Sequence, residues 1–285
     1  MLVSDGQRVT YYHQSRIVAP SPNVYTPSGM VLEAFGLTNI GPARQTNEDC
    51  FASVEELCLF AVADGMGGSA AGEVVAQLAI ESIENFVRRS HETTDFSWPY
   101  GVEATLSVDA NRLRTAVCLA NRRIHRLSER YDDYLGMGTT VVCGLLSGPQ
   151  LVVANVGDSR LYVFDGVNLT QVTMDDSWVA TVLGGESSGQ LPLSRHVLTN
   201  VLGARPDTEV HVFERQLVGG ELLLLCSDGL HGSVPDETLQ RVLTAHEHLP
   251  ELVQALLCTA LDHGSRDNIT ALVVRCSNGQ DGHGD

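Results

Sequence analysis

An apolar run that ends in one acidic residue, followed by glycines, is the feature that most constrains this chain. Residues 59–63 are continuously apolar, Asp64 comes next, and three of the following four residues are glycine. A short apolar run bounded by glycine is typical of a buried strand. A carboxylate at the tip of such a strand has lost much of its water, so it needs a cation or hydrogen-bond donors, or else it takes up a proton.

Two further acids stand beside apolar runs far along the chain. The run at residues 222–226 leads into Ser227 and Asp228, and Asp267 lies just before the apolar run at residues 269–274. Each acid alone is more simply interpreted as a turn residue. Their joint occurrence favours one metal-binding cluster, because hard divalent cations prefer oxygen ligands.

Composition excludes several classes of protein. The 285 residues carry a net charge of -17, which argues against nucleic acid and an anionic membrane surface as partners. No apolar stretch approaches membrane-spanning length, so we expect no membrane insertion, and the N-terminus does not have the pattern of a signal peptide. The seven cysteines are scattered without a Cys-x-x-Cys pair, which indicates a reducing compartment. We therefore expect a cytoplasmic monomer.

The pattern of elements predicts an α+β fold. Amphipathic helices are expected in two pairs, and short β-rich runs lie between and around them. Regular alternation of strand and helix is absent, which favours helix pairs that cover a largely antiparallel sheet system. The helices are predicted at residues 70–89, 108–130, 235–245 and 250–261.

The ends of the chain and one long connection differ from this pattern. Residues 1–30 are polar with prolines at 20, 22 and 27, which predicts a flexible N-terminal arm, and residues 277–285 form a polar, Gly-rich tail that we expect to be disordered. Residues 31–276 then form the domain. Residues 173–203 are irregular, and long loops in compact domains are usually functional or mobile.

One loop adds a cation and a fourth acid. Arg44 and Glu48 lie four residues apart in the polar stretch before residue 50. A guanidinium beside an acidic metal site suits a phosphate, which it can hold with two parallel hydrogen bonds. A metal-bound water can act as a nucleophile near neutral pH, and two ions about 3.5–4 Å apart can clamp the attacking and leaving oxygens.

Six short motifs occur in one order along the chain and together are very specific. In them the chain resembles the metal-dependent Ser/Thr protein phosphatases of the type 2C family, in their bacterial form. The resemblance covers residues 32–275 and implies a β-sandwich of two antiparallel sheets flanked by helix pairs, with an active-site flap at about residues 173–203. The motifs lie at residues 44–49, 62–68, 136–140, 155–160, 226–230 and 267–270.

The resemblance also implies roles for the acids. Asp64 would bridge two Mn²⁺ or Mg²⁺ ions, and the carbonyl of Gly65 would hold the first ion. Asp228 and Asp267 would hold the second ion, which Glu48 would reach directly or through water. The motif at residues 155–160 is interpreted as a structural turn.

Further roles follow from the same resemblance. Arg44 would bind the substrate phosphate. Asp133, with Asp132 as the alternative, is the candidate ligand for a third ion. Many eukaryotic members have a histidine as proposed general acid where this chain has Met66. His231 lies near a proposed ligand in sequence, but a loop histidine is the simpler interpretation.

The implied activity is hydrolysis of phosphoserine and phosphothreonine by direct attack of a metal-bridging hydroxide. The partners would be phosphorylated proteins and a cognate Ser/Thr kinase that the enzyme opposes in signalling. The alternative is a catalytically silent binding or scaffold module on the same fold, although no metal acid is missing. A cysteine-nucleophile phosphatase is disfavoured because no cysteine is followed six positions later by arginine. The glycines after Asp64 lack the lysine of a P-loop.

Overall fold

A computed structural model gives the structure of most of the chain. The middle of the expected flap (residues 178–196), the tail after residue 278 and much of the N-terminal arm lie outside the described residues. The structure describes residues 16–18, 24–25, 30–67, 71–93, 97–177 and 197–278.

Strands and helices alternate in runs along the chain. The strands are β1 (Arg16–Val18), β2 (Val24–Tyr25), β3 (Met30–Asn39), β4 (Asp49–Val54), β5 (Leu59–Met66), β6 (Gly138–Thr139), β7 (Val141–Ser147), β8 (Gln150–Val156), β9 (Arg160–Phe164), β10 (Leu169–Gln171), β11 (His211–Gln216), β12 (Glu221–Cys226) and β13 (Ile269–Asn278). The helices are α1 (Ala71–Glu92), α2 (Val108–Arg130), α3 (Asp228–His231), α4 (Asp236–Ala245) and α5 (Leu249–Asp262), with 3-10 turns at Glu55–Leu57 and Asp132–Tyr134.

The strands form two antiparallel sheets. The first sheet has the order β1-β3-β13-β12-β9-β10, with β2 also paired to β3. The second has the order β11-β8-β7-β5-β4, and β6 also pairs with the end of β5. Neighbours far apart in sequence, such as β3 and β13, pair over ten residues. The two sheets therefore bring the early and late motifs of the chain to one region.

Alternation along the strands builds three apolar layers. On β5, Leu59, Ala61 and Ala63 pack against α1 and α2, whereas Phe60 and Val62 face the other sheet. A third layer lies between the first sheet and the pair α4 and α5. The order helix, sheet, sheet, helix confirms the predicted α+β sandwich flanked by helix pairs.

The ends of the domain differ from the prediction. The arm predicted to be flexible contains β1 and β2, which pair with β3. The last strand runs to Asn278, two residues past the predicted end at 276. Strands of two or three residues are too short to show alternation, and backbone hydrogen bonds to the edge of β3 define them. None of the described helices is long and apolar enough to cross a membrane.

Candidate metal centre

Asp64 and Asp49 lie side by side between the two sheets, at one end of the sandwich. Asp64 continues the alternation that turns Phe60 and Val62 toward the other sheet. Asp49 is the cross-strand partner of Asp64 in β4. Directly opposed residues of an antiparallel pair present their side chains on the same face. Two carboxylates therefore share the inner face of the sandwich at its edge.

The Gly-Thr-Thr motif fixes the backbone of Asp64. The carbonyl of Asp64 accepts from Thr139 Oγ1 at 2.9 Å and from Thr140 N at 2.9 Å. The amide of Asp64 donates to Thr140 Oγ1 at 3.1 Å, and that hydroxyl also contacts Ser159 Oγ at 2.7 Å. The motif at 136–140 thus holds Asp64 in place through the main chain, which leaves its carboxylate to serve the site.

Asp49 ties the two sheets together at the site. Its Oδ2 accepts from Ser227 Oγ at 2.7 Å and from Thr270 Oγ1 at 2.6 Å. Ser227 precedes Asp228, and Thr270 lies just past Asp267 in sequence. Sequence reasoning gave Asp49 no role, because only the register of β4 on β5 reveals its position opposite Asp64.

Asn268 clamps the loop that carries Glu48. Its Nδ2 donates to the carbonyls of Ile40 and Thr46 at 2.9 and 3.0 Å, and its Oδ1 accepts from Glu48 N at 2.9 Å. The carbonyl of Glu48 in turn accepts from Gly65 N at 3.1 Å. Asn268, the neighbour of Asp267, is therefore bonded to the backbone of Glu48, which is in turn bonded to Gly65.

Asp158 is a further acid beside Asp228, and the sequence predicted only a structural turn there. Asp158 is buried, and Asp228 is the neighbouring charge that acts on it most strongly. Asp133 is exposed on the 3-10 turn Asp132–Tyr134 and is not among the main carboxylates that act on Asp64. The role of Asp133 as a ligand of a third ion, which the family resemblance implies, stays a prediction.

Burial and mutual repulsion make negative charge costly here. Burial, and then the charges of Asp49 and Asp228, raise the pKa of Asp64 well above its usual value. Burial raises the pKa of Asp49 to about 7 against the opposing hydrogen bonds from Thr270 and Ser227. Burial also raises the pKa of Asp158 to about 7. A divalent cation would relieve this repulsion, so the carboxylate and carbonyl donors fit Mn²⁺ or Mg²⁺.

The carboxylates and carbonyls of the cluster lie at one edge of the sandwich and do not by themselves form a complete coordination sphere. Among the described residues, no three His, Cys, Asp or Glu side chains are grouped so that they could hold a metal ion as they stand. Asp267 accepts from Arg44 Nη2 at 2.7 Å through Oδ2 and from Asn268 N at 2.8 Å through Oδ1. Sites for Mg²⁺ commonly keep several waters, so protein ligands need not supply every contact.

Two residues discussed as proton donors have clear positions. Met66 ends β5, where it pairs with Gly138 and has no proton to donate. His231 Nε2 lies 2.9 Å from the carbonyl oxygen of Asp158. This contact joins α3 to the turn at residues 155–160, which is a structural use of the imidazole.

Close packing at Gly229 holds α3 and β13 together. A Cβ at this position would lie 1.9 Å from the carbonyl oxygen of Asn268. We expect Gly229→Ala to lower the free energy of unfolding by about 2–4 kcal/mol, because backbone would have to move in an overpacked site. Urea unfolding checks this. Gly144→Ala is the matched control, since its Cβ would meet only side-chain carbons at 3.4 Å and 3.5 Å. Equal losses for both variants would contradict the packing argument.

The comparisons with known proteins agree with this geometry. The family model for protein phosphatase 2C matches residues 43–266. The serine/threonine phosphatase stp of Listeria welshimeri is 33% identical over 244 residues, which are 83% of this chain and 93% of that protein. The serine/threonine protein phosphatase PstP of Mycobacterium tuberculosis is 34% identical over 248 residues, 86% of this chain and 45% of that longer protein.

Solved structures are similar at the same level. The catalytic domain of PstP in complex with two manganese ions has a TM-score of 0.72 and 32% identity, and the match covers 87% of this chain and 99% of that one. Stp1 from Staphylococcus aureus has a TM-score of 0.72 and 30% identity, over 86% and 94% of the two chains. With a family match over most of its length, the chain belongs to the protein phosphatase 2C family of metal-dependent serine/threonine phosphatases, in its bacterial form.

Proposed function

We propose that the chain removes phosphate from phosphoserine and phosphothreonine in proteins, with two Mn²⁺ or Mg²⁺ ions held by Asp64, the Gly65 carbonyl, Asp228, Asp267 and Glu48. The observation that carries this proposal is that Asp49, the cross-strand partner of Asp64, accepts from Ser227 beside Asp228 and from Thr270 near Asp267. Carboxylates from both sheets act on one another there. The two manganese ions of the PstP structure support the same number of ions.

The ions, when bound, supply Lewis acidity and a water that loses its proton near neutral pH. The chain's own residues position the acids and the guanidinium of the site. Asp49 holds the segments of Ser227 and Thr270, and thereby the backbone that carries Asp228 and Asp267. Arg44 is half-exposed at the site, and its bond to Asp267 orients the guanidinium. An oriented guanidinium suits the oxygens of a substrate phosphate.

A protein nucleophile has little support. Burial raises the pKa of the Cys226 thiol far above neutral pH, so this cysteine stays protonated next to the site. Direct hydrolysis without a covalent phosphoenzyme therefore fits best. The scaffold alternative has no support, because every acid that the mechanism needs is present and the relatives are named as phosphatases.

Asp133, with Asp132 as the alternative, stays the proposed ligand for any third ion, and the buried Asp158 beside Asp228 is a further candidate. Residues 173–203 would form the flap. Both described ends of this segment meet at Asp176, which accepts from Gly157 N and Asn200 Nδ2 at 2.9 Å each and lies 2.7 Å from His211 Nε2. Such an anchor at its base would place the flap beside the turn at residues 155–160.

The wider setting follows from the same activity. The enzyme would act on phosphorylated proteins, oppose a Ser/Thr kinase in signalling and work as a cytoplasmic monomer. The seven cysteines are free, which fits a reducing compartment. The phosphatase domain would span residues 31–276.

The proposal is tested by phosphothreonine-peptide hydrolysis with Mn²⁺ and with a chelator. We expect turnover with Mn²⁺ and none with the chelator, restored when Mn²⁺ is added back. Hydrolysis that is equal under both conditions, or absent under both, would contradict it.

Arg44→Gln should raise KM for a phosphopeptide. A charge-assisted hydrogen bond contributes about 1.5–3 kcal/mol, so we expect kcat/KM to fall about 10- to 100-fold. Arg241→Gln is the control, since Arg241 is exposed on α4, a helix that covers the outer face of the first sheet. Steady-state kinetics on one peptide measure both variants. An unchanged kcat/KM in Arg44→Gln would remove Arg44 from the phosphate site.

A further inference from the structure

The solvent face of α2 carries a group of arginines in an otherwise acidic protein. Arg122, Arg123, Arg126 and Arg130 are all exposed. We call these four residues the α2 arginine surface. The one acid among them, Glu129, lies 3.6 Å from His125. The surface is therefore positive on a chain whose net charge is -17.

Six other arginines have an acidic partner, whereas these four have none among the described residues. Arg88, Arg160 and Arg275 pair with carboxylates at 2.7–2.8 Å. Within the described part of the chain, no ion pair involves any member of the α2 arginine surface, and Arg123 donates only to a serine hydroxyl. A solvated helix face usually mixes both signs of charge, so four unneutralised cations suggest a partner that supplies the negative charge.

The helix that carries the surface is linked to the proposed active site in two ways. The chain leaves α2 at Arg130 and reaches β6 eight residues later, where Gly138 and Thr139 pair with Met66 and Gly65. On the other side, Asn121 of α2 accepts from Gly203 N at 2.7 Å, at the end of the proposed flap. The helix that carries the arginines is thus connected along the chain to β6 and bonded to Gly203 at the described end of the proposed flap.

Exposed apolar groups continue the surface toward the site. The Arg130 guanidinium lies 5.7 Å from the centre of the Tyr131 ring. Tyr131 is 47% exposed and Leu135 is 78% exposed, and both lie between α2 and β6 together with the exposed acids Asp132 and Asp133. Large exposed apolar side chains beside cations are common in surfaces that bind peptides.

We propose that the α2 arginine surface binds an acidic segment of the phosphoprotein substrate, so that the enzyme favours phosphoserine and phosphothreonine sites flanked by glutamate, aspartate or a further phosphate. From Arg122 to Arg130 the helix rises about 12 Å, which about four residues of an extended peptide would span. All 18 basic residues of the chain are arginine, whose planar fork suits carboxylates and phosphates. The acidic remainder of the protein would repel the same segment elsewhere.

The inference rests on the proposed phosphatase activity. Three substrates distinguish a failure of the inference from a failure of that activity. They are p-nitrophenyl phosphate, a phosphothreonine peptide with glutamates on both flanks, and the same peptide with glutamines. For the unmodified enzyme we expect a higher kcat/KM on the glutamate peptide. In Arg126→Gln/Arg130→Gln this preference should fall about threefold to tenfold, while turnover of p-nitrophenyl phosphate stays unchanged.

A charge-matched control removes two arginines elsewhere. Arg89→Gln/Arg241→Gln makes the same change in net charge, on the far end of α1 and on α4, and should keep the preference. Loss of the preference in both double variants, or in neither, would overturn the proposal. Thermal unfolding of each variant confirms that the fold is intact.

Failure of the phosphatase proposal would look different. In that case no variant would hydrolyse any of the three substrates. Fluorescence anisotropy of a labelled glutamate peptide would still test the surface, with weaker binding expected in Arg126→Gln/Arg130→Gln than in the control. Equal binding by both double variants would overturn the surface independently of catalysis.

Discussion

Replacing Asp64 with asparagine is expected to abolish phosphatase activity and, in the presence of a chelator, to stabilise the chain. Loss of one group that organises charge at the reacting centre lowers kcat by on the order of 10³-fold. Without metal the same carboxylate is a cost, because burial and the charges of Asp49 and Asp228 raise its pKa. An amide removes that charge, so we expect a gain of about 1 kcal/mol or more in the free energy of unfolding.

Glu92→Gln is the matched control for this substitution. Glu92 is exposed at the C-terminal end of α1, whose first residue, Ala71, lies near the end of β5 that carries Asp64. Its removal should change neither activity nor metal-free stability. Urea unfolding in chelator and peptide hydrolysis in Mn²⁺ measure both effects on the same preparations. An Asp64→Asn chain that is active, or that is less stable than the unmodified chain in chelator, would contradict the role given to Asp64.

Manganese is expected to raise the melting temperature substantially. A ligand at 100 times its Kd stabilises the folded state by about 2.7 kcal/mol per site. For a domain of this size each kcal/mol raises Tm by about 2–4 °C, so we expect a shift of about 5–10 °C for one site and more for two. Differential scanning calorimetry with Mn²⁺ and with chelator measures it. Asp64→Asn should show little of the shift, and an equal shift in that variant would place the ions elsewhere.

The stabilisation by Mn²⁺ should also grow as the pH rises from about 5 to about 7. In chelator, the raised pKa values of Asp49 and Asp158, each about 7, mean that the folded chain binds protons which the unfolded chain has released. Stability without metal therefore falls as the pH rises through this window. Metal binding displaces those protons and is favoured at higher pH. A Tm difference that stays constant from pH 5 to pH 7 would contradict this linkage.

Local sequence patterns were sufficient to predict the helices and strands, and to predict Asp64 as an acid at the end of a buried strand. The helix predicted at residues 108–130 has the same bounds in the structure, because its apolar face is regular and Ser107 caps its first turn by accepting from Ala110 N. The apolar run before Asp64 likewise predicts a buried strand with an acid at its end. These features depend on neighbours within a few residues, and the sequence displays them directly.

Roles that depend on register or on distant contacts could not be predicted in this way. Asp49 meets Asp64 only because β4 pairs with β5 in one register. Asp158 adjoins Asp228 because β9 lies beside β12. Asp133 came from the family resemblance, and its role as a ligand stays a prediction. Asn268 also carried no signal of its own, although its side chain joins three segments of the site.

The central claim is that carboxylates from both sheets meet at one place and hold a pair of divalent ions. Titration with Mn²⁺ followed by electron paramagnetic resonance tests it most directly, because two ions about 3.5–4 Å apart are magnetically coupled. We predict two tightly bound Mn²⁺ per chain with a coupled spectrum, and loss of the coupling in Asp64→Asn. Binding of isolated ions only, or a coupled pair that persists without the Asp64 carboxylate, would contradict the claim.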